Sequence, residues 1–342
     1  MAVALLLMLG GVALSDPAPD FPPPRQDETL IRAAAFAEDR LWLLAGDSLT
    51  TVNDDGYGRI VQPVDGKPVA LCVQAKQLLV LSAGPDERWT LRRRQAADWI
   101  EVARVGTRGD NFLGMTCDAT RVSLLTNRRL IEIGGPAPSS AALSDRINPG
   151  VTRSLLSAGG QVLVGTNAGE WGGGLQRIDR RTGKVSQVRR NDGAEPCGAV
   201  LDRQCDPVNG VATAPWDPDC VVAAVGLIHM LVHGRLVEVC GDRVTPLYAK
   251  VMPGPDDWPA DQAYGEVAFF GAHAAGDTLW AVGSDGLYRL RDRKLVDFQP
   301  LPDFQTIGGA KISFALPGVV LVMTDINQSV SLSGSVPILV PR

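Results

Sequence analysis

The sequence predicts an all-β fold, a single seven-bladed β-propeller of four-stranded antiparallel blades. Three observations carry the prediction. One short unit recurs along the chain, each copy consists of strand-length apolar runs divided by turn residues, and no stretch sustains a helical period.

The recurrence is clearest between Asp39–Val52, DRLWLLAGDSLTTV, and Asp277–Leu290, DTLWAVGSDGLYRL. The two have equal length and share Asp, Leu, Trp, a later Asp and Leu in one register. Thr120–Ile133, TRVSLLTNRRLIEI, keeps the length and the apolar positions but loses the Trp. Looser copies begin at Lys76, Gly160, Asp219 and Gly318, which makes seven.

Each copy follows a short apolar strand: IRAAAF, VALCV, FLGMT, RSLLS, NGVAT, VAFFG and KISFA. A polar turn, a β-branched or Leu-rich strand, a Gly/Asp/Asn turn and an alternating strand come next, often followed by a fourth strand such as KLVDF. The spacing is uneven because of three insertions rich in Gly, Pro, Asp or Ser, at 134–150, 190–208 and 250–263. Long connections on a rigid scaffold are where binding residues concentrate.

At 342 residues the propeller fills most of the chain, over 29–342. The first 15 residues, MAVALLLMLGGVALS, hold no charged side chain and have the length of a signal-peptide apolar region, with Ala13 and Ser15 as the small residues before a cleavage site. Residues 16–28 are Pro-rich and polar and read as an extended tether. With no other apolar stretch long enough to cross a bilayer, the expectation is a secreted or periplasmic protein without a membrane span after signal cleavage. Net charge is −5, from 33 basic and 38 acidic side chains, which gives no footprint for nucleic acid.

Six cysteines in an exported chain imply disulfides. Cys220 and Cys240 fall near the facing ends of two antiparallel strands of blade five and are expected to pair. Cys197 and Cys205 bracket one insertion and would close it locally, while Cys72 and Cys117 end the first strands of blades two and three and would meet between them.

The unit Leu279-Trp280 with Gly286-Leu287-Tyr288-Arg289-Leu290 resembles the repeat of ligand-sensing regulator propellers, and Val164-Gly165-Thr166-Asn167 is similar to its middle. The resemblance implies repeat architecture and carries over no catalytic residue.

Residue chemistry weighs against several activities. His229 and His233 would lie about 13 Å apart along a strand, too far for one metal ion. The third histidine, His273, stands alone in the sequence, and no metal-ligand spacing is evident. The acidic loops Asn53–Gly58 and Asp256-Asp257-Trp258 with Asp261 could supply oxygen ligands for calcium, but they lack the spacing of a dedicated calcium loop, and Asp-Gly is ordinary turn chemistry. Gly172-Gly173-Gly174 has neither the Lys-Ser/Thr nor the following helix of a phosphate loop, and reads as a turn or bulge. No Gly-x-Ser-x-Gly elbow and no cofactor motif occurs, so no cofactor is expected.

Propeller geometry supplies the candidate site. The innermost strand of each blade lines the central channel, and the residues at or just before these strands are Arg32, Lys67, Asn111, Arg153, Asn209, Glu266 and Lys311. All are polar and four are basic, a ring suited to an anionic ligand at one channel mouth. Trp171, Trp216 and Trp258 lie near the insertions as candidate caps. The leading expectation is an exported binding module for a small anionic ligand, a glycan or a protein. The alternative is a lyase- or hydrolase-type propeller enzyme acting on an anionic substrate at the channel mouth.

Overall fold

Runs such as Leu78-Leu79-Val80-Leu81 offer no polar side, so a strand made of them must be covered on both faces. In the computed structural model they form the second strands of seven antiparallel sheets and are buried between neighbouring blades. The structure describes residues 31–52, 59–188, 200–228, 232–252, 254, 259, 265–301, 310–324 and 336–342. The leader and tether, the loop Asn53–Gly58, Asp256-Asp257-Trp258, Asp261, His229 and Cys197 lie outside them.

Blade one comprises β1 (Ile31–Ala37), β2 (Arg40–Ala45), β3 (Ser48–Val52) and β4 (Arg59–Val61). Blade two comprises β5 (Lys67–Gln74), β6 (Gln77–Ala83), β7 (Arg88–Gln95) and β8 (Asp98–Gly106). Blade three follows with β9 (Phe112–Cys117), β10 (Val122–Thr126), β11 (Arg129–Ile133) and β12 (Ser139–Ala142). Blade four has β13 (Thr152–Ala158), β14 (Gln161–Asn167), β15 (Gly173–Asp179) and β16 (Val185–Val188). Blade five has β17 (Val208–Ala214), β18 (Asp217–Leu227), β19 (His233–Cys240) and β20 (Arg243–Tyr248). Blade six has β21 (Phe269–Ala275), β22 (Thr278–Gly283), β23 (Gly286–Arg291) and β24 (Lys294–Pro300). In blade seven the described strands are β25 (Lys311–Ser313), β26 (Val319–Thr324) and β27 (Val336–Pro341).

Every sheet runs in sequence order, each strand pairing with the next. The first strands touch in turn from β1 round to β25, and β25 touches β1, closing the ring. Two boundaries differ from the sequence reading. The insertion at 134–150 contains β12, because Ser139–Ala142 completes the ladder of β11. The first strand of blade six starts at Phe269 rather than Val267.

There is no single core. Seven apolar clusters each fill one gap between adjacent blades, with Leu71, Leu78 and Val80 of blade two meeting Trp42 and Leu44 of blade one, for example. The cluster that closes blade seven on blade one consists of Ile31, Leu43, Ala45 and Met323. Trp280 and Tyr288 are packing residues in this scheme. The Tyr288 hydroxyl donates to Asp285 at 2.7 Å, and Lys250 pairs with the same carboxylate at 2.6 Å. Burial and the Asp285 charge push the Tyr288 phenol well above its usual range.

Two of the three cysteine expectations are met in full. Cys220 and Cys240 are directly paired residues of β18 and β19, with Cα atoms 4.3 Å apart. Cys72 and Cys117 join the inner strands of blades two and three across 6.1 Å. Cys205 is also disulfide-bonded.

Charged residues bind the blades as well. The strands RLIEI (β11) and RLVEV (in β19) place Arg and Glu three residues apart, hence on opposite sides of the sheet. On one side Arg129 pairs with Asp110 at 2.5 Å and donates to the Thr107 carbonyl, both in the connection entering blade three. Arg235 does the same in blade five, with Asp206 at 2.7 Å and the Val200 carbonyl at 2.9 Å. Burial raises the Asp206 pKa, opposed by Arg235. On the other side Glu132 accepts two hydrogen bonds from Arg180 of blade four, and Glu238 accepts from Arg293 of blade six and from Trp216. Arg180 also donates to Asp118 at 2.9 Å and to the Ser123 hydroxyl at 2.9 Å. Burial pushes the Asp118 carboxyl up, but hydrogen bonds from Thr120, Arg180, Ser157 and Arg121 outweigh it and hold the group well below the usual carboxylate range.

Candidate ligand site at the channel mouth

Inner strands all begin at the same face, and so does every connection from a fourth strand to the next blade. The described ends of all three insertions, at 143–151, 200–207, 249–252 and 265–268, therefore emerge around the mouth of the candidate ring. The turns joining second to third strands share that face, whereas the turn carrying Arg180 and the Trp216 turn lie on the opposite one.

A bulge recurs at the start of the inner strand in six blades. One residue is skipped in the ladder between Ile31 and Ala33, Pro68 and Ala70, Phe112 and Gly114, Thr152 and Ser154, Val208 and Gly210, and Phe269 and Gly271. The skipped residues are Arg32, Val69, Leu113, Arg153, Asn209 and Phe270. A bulge releases its residue from the pleat and re-aims the side chain. Three of the seven candidate residues thus share one layer, while Lys67, Asn111 and Glu266 stand upstream of such a layer and Lys311 begins β25, whose described ladder with β26 is regular.

Their partners divide them further. Arg32 donates to the carbonyls of Gly46 and Pro68, and Asp47 lies 3.8 Å from Arg32 and 2.8 Å from Lys67. Asn111 is tied through its backbone to Asn127, whose Oδ1 accepts its N–H at 3.0 Å. Glu266 bridges to Val251 and lies 4.0 Å from Arg235. Lys311 begins β25, exposed. Asn209 is fully used, since its Oδ1 accepts from Asn167 at 2.6 Å and its Nδ2 donates to the carbonyls of Gly226 and Phe269 at 2.7 and 3.0 Å. It knits blades four, five and six together.

Arg153 differs from these. It is exposed, and among the described residues it has no hydrogen-bond or ion-pair partner for its guanidinium. It lines a cleft of about 540 Å³ with Trp171, Asn148, Asn167, Ile228 and Phe270. That volume is in the range of small-molecule sites. Phe270 is the bulge residue of blade six, so two re-aimed side chains meet this cleft.

Trp171 closes a short 3-10 turn, Gly169–Trp171, between β14 and β15, and is 86% exposed. The turn is held by the Asn167 side chain, which accepts the Gly169 N–H at 2.7 Å, and by the Ala168 N–H bonded to the Gly172 carbonyl at 2.8 Å. Glycine is required next. Gly172 has φ +86°, and a Cβ there would lie 2.2 Å from the Arg203 carbonyl oxygen. The triple glycine thus seats the Trp171 turn against the connection at 200–207, where the Gly173 N–H donates to Arg203.

Other candidates fall away from the cleft. Trp216 packs under Arg293 on the far face. His233 Nε2 lies 2.9 Å from the Cys205 carbonyl and steadies the same connection. His273 stacks on Phe314, and burial lowers its pKa. Phe270 and Asn148 are not marked as site residues by the sequence, and Asn167 enters there only as part of the repeat. Their signal lay in the turn chemistry of Asn148-Pro149-Gly150 and Asn167-Ala168-Gly169, while the bulge has no local sequence mark.

No protein-family model and no curated protein matches this sequence. Among solved structures, the chain is similar to the extracellular domain of BT4673 of B. thetaiotaomicron, described as a hybrid two component system, with TM-score 0.51 and 14% identity over 88% of this chain. This chain spans 37% of the length of that one. It is also similar to the computationally designed Ika8 protein, with TM-score 0.51, 11% identity and coverage of 88% and 82% of the two chains. A third similar structure is KlHsv2 with loop 6CD replaced by a Gly-Ser linker, at TM-score 0.51, 11% identity and coverage of 87% and 90%. Identities this low establish the fold alone. Among the described residues no helix is long and apolar enough to cross a membrane.

Proposed function

We propose that this chain is an exported binding module that takes its ligand on the mouth face of the propeller, in the cleft between Arg153 and Trp171. One observation carries the reading. A Trp held by a hydrogen-bonded turn and exposed to solvent shares a cleft with a re-aimed Arg that lacks a partner among the described residues. An exposed aromatic in a concave site is a feature of binding surfaces rather than of structural packing. The disulfides support passage to an oxidising compartment, secreted or periplasmic, as does the likeness to an extracellular domain. Of the candidate ring, Arg153 is the contact residue, and Asn209 braces the cleft wall through its hydrogen bond with Asn167.

The test is a thermal-shift screen of the full chain against a mixed small-molecule library, repeated on Trp171→Ala and Arg153→Gln. Ligands that stabilise the parent should lose their effect in one or both variants. Hits that stabilise all three proteins equally would place the binding surface elsewhere.

A further inference from the structure

Two unlike groups line the cleft, and the ligand must satisfy both. One is the Trp171 indole, with most of its surface open, on a turn closed by four hydrogen bonds within Asn167–Gly172. Its faces suit a flat ring, either aromatic or the C–H face of a sugar. A turn fixed in advance loses little freedom on binding.

The other is Arg153. Around the propeller, Arg32, Arg129, Arg177, Arg180, Arg235 and Arg293 all donate to carbonyls or carboxylates of the protein. Arg153 is equally a strand residue, yet its planar fork of donors is unclaimed among the described residues. A guanidinium matches a carboxylate in bidentate geometry, and a neutral hydroxyl cannot supply the second acceptor. Asn148 adds an NH2 donor, its Oδ1 being taken by the Gly150 N–H at 3.0 Å. Phe270 and Ile228 supply apolar wall, which lowers the local dielectric and strengthens the charge contact.

We infer that the ligand of this cleft is a carboxylate carried on a ring, with the ring stacked on Trp171 and the carboxylate held by Arg153. The inference rests on the binding-module reading above and adds the ligand's chemical class. Two sources share this chemistry, acidic sugars and aromatic acids.

Titration of the full chain by tryptophan fluorescence and calorimetry decides it, with galacturonate against galactose and benzoate against benzyl alcohol. At least one acid should bind at millimolar concentration or below and exceed its uncharged twin by about tenfold or more. Arg153→Gln should abolish that preference, Trp171→Ala should weaken acid binding about tenfold, and added salt should lower the acid's affinity alone. Whichever acid shows the preference identifies the source. Equal affinity for acid and twin would overturn the inference, as would failure of both acids to bind at millimolar concentration or an acid affinity unchanged in Arg153→Gln. Those results leave the binding-module reading standing so long as neutral hits from the screen still depend on Trp171. Loss of that dependence overturns the reading itself.

Discussion

Arg180 and Arg153 belong to the same blade and do opposite things. Arg180 sits on the face away from the mouth, 7% exposed in its side chain, with two carboxylates and a hydroxyl around its guanidinium. Burial works against its charge, yet Glu132 and Asp118 hold the group more strongly protonated than a free arginine. Arg153 sits at the mouth, exposed and re-aimed by a bulge, with no such partners among the described residues. Desolvated charge with full pairing binds blade to blade, because its geometry cannot be relaxed without stranding a carboxylate. Solvated charge with open donors adds nothing to stability and remains available to a ligand.

The contrast can be broken in order of size. Arg180→Ala leaves the buried Glu132 without its cation, takes one hydrogen bond from Asp118, and should cost about 3–5 kcal/mol, read from the urea midpoint at constant slope. A loss under 1 kcal/mol would show that the apolar clusters alone hold blades three and four. Asp118→Asn comes next, at about 2 kcal/mol at neutral pH, since it weakens several hydrogen bonds at once. Its pH dependence has a definite sign. The folded carboxyl lies below its unfolded value of about 4, so its contribution is complete above that value and fades as pH falls below it. The difference in melting temperature between Asp118→Asn and the parent should therefore shrink on acidification, and a constant gap down to pH 2 would remove Asp118 from the acid response.

Arg293→Ala should cost less, about 1 kcal/mol, because Trp216 still donates to Glu238 and Arg293 is already half exposed. A cost equal to that of Arg180→Ala would mean that exposure does not grade these latches. Smallest of all, Arg153→Gln and Trp171→Ala should change stability by no more than about 0.5 kcal/mol, since neither side chain is buried. A larger loss in either would return that residue to a structural role.

The latches show where sequence reading stopped. Arg129 and Glu132 in RRLIEI have counterparts in Arg235 and Glu238 of GRLVEV, so the signal was present. Recognising it requires knowing that one sheet face meets the blade before and the other the blade after. The mouth ring shows the converse. Arg32, Arg153 and Asn209 do share a layer, but Lys67 belongs two residues upstream of that layer and pairs with Asp47, so a ring drawn from strand starts mixes levels. Register slips of one residue leave no mark in composition or periodicity.

Repetition, strand periodicity and turn chemistry act over a few neighbouring residues. The sequence by itself therefore determined seven blades, their strand order and the pairings of Cys72 with Cys117 and of Cys220 with Cys240. Only the tertiary structure decided that the described ends of the three insertions share the mouth face, that Trp171 and Arg153 line one cleft while Trp216 faces away, and which charges are spent on holding blades together. Those outcomes depend on closing a ring of sheets, which brings together residues from blades that touch only after every strand has found its register.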